Sequence, residues 1–137
     1  MERQIRPQIT KGQDMSFLSS FFRYDGQKDP REREQVSLII NVVCRFYGAD
    51  RDGVLSRSRQ PKWIWPRHVA MAVASANGFT SRTIGEVMHR ERSIVSYASK
   101  TVLDQCDVYP EIASEVREIS KKVKQQIRKI EFQNELQ

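Results

Sequence analysis

Arg90, Glu91, Arg92 and Ser93 stand together at the head of an amphipathic run, and all four can hydrogen-bond base edges or phosphates. Upstream, Ser56-Arg57-Ser58-Arg59-Gln60-Pro61-Lys62 is a basic stretch expected to be flexible and non-helical. Residues 79–102 read as two short helices joined by a tight turn. A helix able to enter a major groove, beside an arm able to reach a neighbouring minor groove, is the layout of a protein that reads double-stranded DNA. Other chemistries lack their residues. No His, Asp and Ser or Cys constellation suggests catalysis, and no Gly-x-x-x-x-Gly-Lys-Ser/Thr loop offers a phosphate cradle for ATP. Cys44 and Cys106 fit no zinc spacing, and His68 and His89 have no neighbouring ligands, so no metal and no cofactor is expected. Cys44 reads as small buried packing.

The 137 residues suffice for one modest core, and the net charge of +6 with a pI near 9.6 favours polyanionic partners. The distribution is more telling than the total. Between Ser56 and Leu103 eight basic residues (Arg57, Arg59, Lys62, Arg67, Arg82, Arg90, Arg92, Lys100) face only Glu86 and Glu91, which accounts for the whole net charge. No apolar run approaches 18 residues and no signal-peptide pattern is present, so no membrane partner is expected, and a cytoplasmic, nucleoid-associated location is.

Three units are expected: a tail with a short aromatic helix over 1–28, a helical DNA-binding domain over 29–108 and a C-terminal helix over 109–137. In the tail, 1–13 reads as a disordered linker, and Phe17, Leu18, Phe21 and Phe22 suit either a short helix capping the core or a docking peptide. Asp29-Pro30-Arg31-Glu32 is a helix start, and Val36, Ile39, Ile40, Val43 and Tyr47 form its buried stripe before Gly48 ends it. Residues 50–55 suggest one further turn. Pro66 is expected to open a central helix to Asn77, with Trp65 extended before it and small residues allowing close packing. Thr80 or Ser81 caps a short helix ending near Met88. The reader helix should then run from about Arg90 to Leu103 with Val95, Ala98 and Val102 inward, and a last helix from Tyr109-Pro110 to about Phe132. No segment alternates with period two, so the fold class is all-α, a small helical bundle containing a helix-turn-helix, with a long C-terminal helix.

This face leaves Arg92, Ser93, Ser96, Tyr97 and Lys100 outside. Arginine's planar fork can take guanine O6 and N7 together. Glu91 can accept from cytosine N4, or pair with an arginine and hold it in place, the second role being favoured. Ile94 can touch a thymine methyl or sit half-buried. Arg82, Thr83 and Lys100 suit phosphates, and Arg57 and Arg59, beside Lys62, suit a narrow minor groove.

The stretch from Val36 to Val102 resembles the C-terminal DNA-binding domain of the bacterial replication initiator DnaA. The resemblance is carried by Val43-Cys44-Arg45-Phe46-Tyr47-Gly48, Leu55-Ser56-Arg57-Ser58-Arg59, Pro66-Arg67-His68-Val69-Ala70-Met71-Ala72, Ile84-Gly85 and Arg90-Glu91-Arg92-Ser93-Ile94-Val95-Ser96-Tyr97-Ala98. It implies a bundle of the kind also related to Trp repressor, Arg59 as the minor-groove residue, and Arg90 to Ile94 at the positions of the family's Arg-Asp-His-Thr-Thr signature. Glu91, Arg92, Ser93 and Ile94 depart from that signature, so an altered or relaxed site is expected, in a stand-alone module without the initiator's ATPase.

The expected function is thus sequence-specific binding of double-stranded DNA, regulating replication initiation or transcription. The alternative is a regulatory module whose inherited fold binds a protein partner, such as a replication protein, with Trp63-Ile64-Trp65 exposed for docking; those tryptophans equally suit clamping the arm to the bundle. Ile112, Val116, Ile119, Val123, Ile127 and Ile130 approach a heptad seam. That seam suits either packing on the domain or a homodimer through the C-terminal helix.

Overall fold

The computed structural model describes residues 30–136, and the tail expectations for residues 1–28 lie outside them. Six helices follow in order: α1 Pro30–Tyr47, α2 Arg51–Leu55, α3 Pro61–Ala76, α4 Ser81–Met88, α5 Arg92–Val108 and α6 Pro110–Glu135, with no strand among the described residues. α1 presents Val36, Ile39, Ile40 and Val43 to the core at full burial, as their spacing requires. Gly48 ends it at φ 64°, a backbone state that glycine adopts without strain.

α3 is the hub and packs against every other helix. Val69, Ala70, Met71, Ala72, Val73 and Ala74 are all buried, and the small side chains let α5 approach until the Ser99 and Ser75 hydroxyls meet at 3.3 Å. α3 starts at Pro61 and not at Pro66, so Trp63, Ile64 and Trp65 are helical. Pro61 sits at the first helical position, where its missing N–H is no loss, and the Trp63 and Ile64 amides both close on the Gln60 carbonyl (2.9 and 3.1 Å). Pro66 then lies inside the helix, its local preference outweighed by tertiary contacts. The Trp63 ring lies where a Cβ on Gly53 would sit only 2.6 Å away, and Trp65 Nε1 donates to the Tyr47 hydroxyl at 3.0 Å. Both tryptophans are half-buried against the core, so they clamp and are not exposed for docking.

α5 and α6 extend the element map. Pro110 holds Tyr109 extended (φ −118°, ψ 107°), so α5 continues past Leu103 to Val108 and α6 begins at once. Ile119 and Val123 of α6 are fully buried, with Val116 and Ile127 packed against the same core. The Tyr47 hydroxyl donates to the Glu115 carboxylate, which ties the end of α1 to α6. Burial and that bond push the Tyr47 phenol well above its ordinary range.

Candidate nucleic-acid interface

The helix-turn-helix is built from α4, the turn 89–91 and α5. Thr80 caps α4 by accepting the Thr83 amide at 3.1 Å. His89 ends α4 in the left-handed region (φ 59°, ψ 48°), and the Arg90 amide returns to the Gly85 carbonyl at 2.8 Å. The turn is tight enough that a Cβ on Gly85 would stand 2.4 Å from the Arg90 carbonyl oxygen. Glu91 is the extended N-cap residue of α5, so the reader helix starts at Arg92, two residues later than the spacing suggested. Val95, Ala98 and Val102 are fully buried and fix its rotation.

That rotation leaves Arg92, Ser93, Ile94, Ser96, Tyr97 and Lys100 exposed, with Ile94 at 43% and Tyr97 at 66%. The Tyr97 ring meets His68 of α3 edge-on at 6.4 Å. Burial, and then the charge of Arg67, lowers the His68 imidazole from its ordinary range. The first turn of α5 has no side-chain cap and no acidic residue, so its positive end is open to phosphate. Glu91 makes no ion pair among the described residues, so the favoured arginine-pairing role is not what its side chain does here.

The arm is ordered, contrary to the expected flexibility. Its alternating residues divide the work. Ser56 Oγ donates to the Gly53 carbonyl (2.6 Å) and accepts the Ser58 amide (3.2 Å), while Ser58 Oγ accepts the Gln60 amide (3.3 Å). Ser56 and Ser58 are half-buried, and Arg57 and Arg59 point outward between them. Lys62, on the first turn of α3, is exposed with its ammonium 4.7 Å from the Trp63 ring centroid.

An open concavity gathers the two halves, lined by Arg57 from the arm, Arg82 and Glu86 from α4, His89 and Arg90 from the turn, and Glu91 to Ile94 at the start of α5. Lys62, Ser96, Tyr97, Lys100 and Arg59 lie exposed outside this lining. Two expected contacts are corrected. Thr83 is buried at 8% and bonded to Thr80, so it cannot reach a phosphate. Arg90 is half-buried and gives its guanidinium to the Met88 carbonyl (3.1 Å), the His89 carbonyl (3.2 Å) and the Ser56 carbonyl. Arg82 is partly held by Glu86 at 3.4 Å, which also takes Arg33 of α1 at 2.7 Å. Sequence reasoning missed His89, Arg33 and the structural use of Arg67. Only His89 left a signal, since a side-chain-bearing residue between Met88 and Arg90 has to make the turn. Arg67, counted among the interface charges, is 7% exposed and donates to the carbonyls of Val54 (2.6 Å) and Gly53 (3.3 Å).

Fold and site together define a helix-turn-helix domain of the DNA-binding kind, with a basic arm beside its second helix. Residues 36–102 match the family model of the bacterial DnaA protein helix-turn-helix. That segment is a DnaA-type C-terminal helix-turn-helix domain. The chromosomal replication initiator DnaA of Bacteroides fragilis (strain YCH46) is 31% identical over 83 residues, covering 59% of this chain and 17% of that protein. DnaA 1 of Chlamydia muridarum (strain MoPn / Nigg) is 28% identical over 89 residues, covering 62% of this chain and 20% of that protein. The chain spans about a fifth of the length of the curated relatives it matches. No helix among the described residues is long and apolar enough to cross a membrane.

Proposed function

We propose that this chain binds double-stranded DNA sequence-specifically, with Arg92, Ser93 and Ile94 at the major groove and Arg57 and Arg59 at the adjacent minor groove, and that it regulates replication initiation or transcription. The observation that carries the reading is the shared concavity: Arg57 of the arm and the exposed first turn of α5 line one open surface, although the two lie far apart in sequence. Arg82 within it and the exposed Lys62, Ser96, Tyr97 and Lys100 outside its lining serve as backbone contacts, which position the protein without reading sequence. Glu91, without an ion pair among the described residues, would accept from a cytosine amino group. Because Glu91, Arg92, Ser93 and Ile94 replace the residues the family uses there, the preferred site differs from the family's box.

In-vitro site selection with the purified chain tests this. The expected result is an enriched sequence with an A·T-rich step on one side and a short major-groove motif on the other. Absence of any enriched sequence at moderate salt would overturn it. A protein-interaction role is the second reading, and a replication protein is the partner it would take. Its tryptophan support is weakened, since Trp63 and Trp65 pack within the chain. Pairing of two copies through α6 would use the exposed Ile130, Phe132 and Leu136, because Ile119 and Val123 serve the chain's own core. Sedimentation at about tens of micromolar decides it, a monomer mass counting against paired half-sites.

A further inference from the structure

Arg90 sits where the family signature begins, yet its half-buried side chain is engaged by the chain's own backbone. Its guanidinium joins two parts of the chain: the carbonyls of Met88 and His89 at the end of α4, and the carbonyl of Ser56 at the root of the arm, 34 residues away. No other hydrogen bond or ion pair among the described residues links the turn to the arm. Three carbonyl acceptors on one planar fork fix both direction and distance, which a lysine's rotatable ammonium cannot reproduce. The backbone of the same residue is fixed as well, by its amide on Gly85 and its carbonyl against the Gly85 Cα. The root of the arm is held from the other side by Ser56 Oγ on Gly53 and by Arg67 on Gly53 and Val54. The arm therefore hangs from α2 and is spaced from the reader helix by one side chain.

We propose that Arg90 is a positioning residue that sets the spacing between the arm and the reader helix, and thereby the number of base pairs separating the minor-groove and major-groove halves of the DNA site. The inference rests on the DNA-binding reading above and adds a residue to it that touches no base. It also separates two arginines that are neighbours in sequence: Arg92 sets which bases are preferred, and Arg90 sets how far apart the two preferred elements lie.

The test uses the full chain and the site obtained by selection. One base pair is inserted or removed between the A·T-rich half and the major-groove half, and binding is measured for the parent, Arg90→Lys and Arg90→Met by mobility shift. The parent is expected to lose at least about tenfold in affinity on either change, the cost of one misplaced contact set. Both variants should bind the unaltered site about tenfold more weakly, and their penalty for the altered spacing should shrink to under about threefold. Arg90→Lys retains the charge and guards against loss of folding in Arg90→Met, with circular dichroism reporting helix content for both. A uniform loss on all probes in Arg90→Met, with an unchanged spacing profile and rescue by Arg90→Lys, makes Arg90 an ordinary phosphate contact and overturns the proposal. A parent that shows steep spacing dependence, shared undiminished by both variants, overturns it while leaving DNA reading intact. A parent that prefers no sequence removes both.

Discussion

Two sets of arginines lie within a few residues of one another and do opposite things. Arg57, Arg59 and Arg92 project from the surface, whereas Arg67 and Arg90 turn inward onto main-chain carbonyls. The inner pair holds the frame that presents the outer three. Burial lowers both inner guanidinium groups from their ordinary value, and each is also under the charge of another arginine, Arg90 beside Arg67 and Arg57 beside Arg90. The lesson is that a count of basic residues overstates the charge offered to DNA. Of the eight between Ser56 and Leu103, two are already engaged by the protein's own backbone.

The largest effect is expected at Arg67. Arg67→Met removes the donor to the buried Val54 carbonyl, while the Gly53 carbonyl keeps its bonds from Ser56, for an expected loss of about 2 kcal/mol in chemical denaturation. An unchanged midpoint would mean that water replaces the guanidinium and the inner set has no structural role. Next comes Gly85→Ala, where the new Cβ meets the Arg90 carbonyl. We expect about 2 kcal/mol of destabilisation from this overpacking, together with weaker site preference, because the turn must open. The outer set should behave differently. Arg92→Ala should leave stability within about 0.5 kcal/mol and erase about 1–3 kcal/mol of discrimination at one base position. Lys100→Ala should weaken binding to all sequences alike and reduce the salt dependence by about one counterion. Equal, sequence-independent effects from those two changes would count against base reading by Arg92.

The smallest effect concerns pH. His68 is held neutral by burial and by Arg67, so its folded pKa lies below its unfolded one. Below the unfolded value the unfolded chain takes up a proton that the folded chain refuses, and stability falls as pH drops through 6.5 toward the folded value. His68→Gln should flatten that part of the stability profile. A slope unaltered by the substitution would assign the acid sensitivity elsewhere.

Much of the fold was legible residue by residue. The apolar stripe of α1, the Gly48 stop, the Thr80 cap and the inward Val95, Ala98 and Val102 are local patterns, and local patterns survive packing. Pro66 reads as a helix start only while Trp63 and Trp65 have no partners; once Gly53 and Tyr47 are beside them, the helix reaches back to Pro61. The arm reads as flexible because a run of Ser and Arg has no periodicity, although its serines bond main chain two or three residues away and Arg90 reaches its root from the turn. Thr83 reads as a surface threonine until its capping partner turns it inward.

Periodicity, caps and charge order act over a few residues, so the all-α class, the helix-turn-helix, the basic stretch and the exposed face of α5 could be read from the chain alone. Packing settled which arginines reach solvent and which act as struts, and it brought the arm and the first turn of α5 to one concavity. The physical reason is reach: the Ser56 carbonyl becomes a partner for Arg90 across 34 residues only after α2, α3 and the turn have packed.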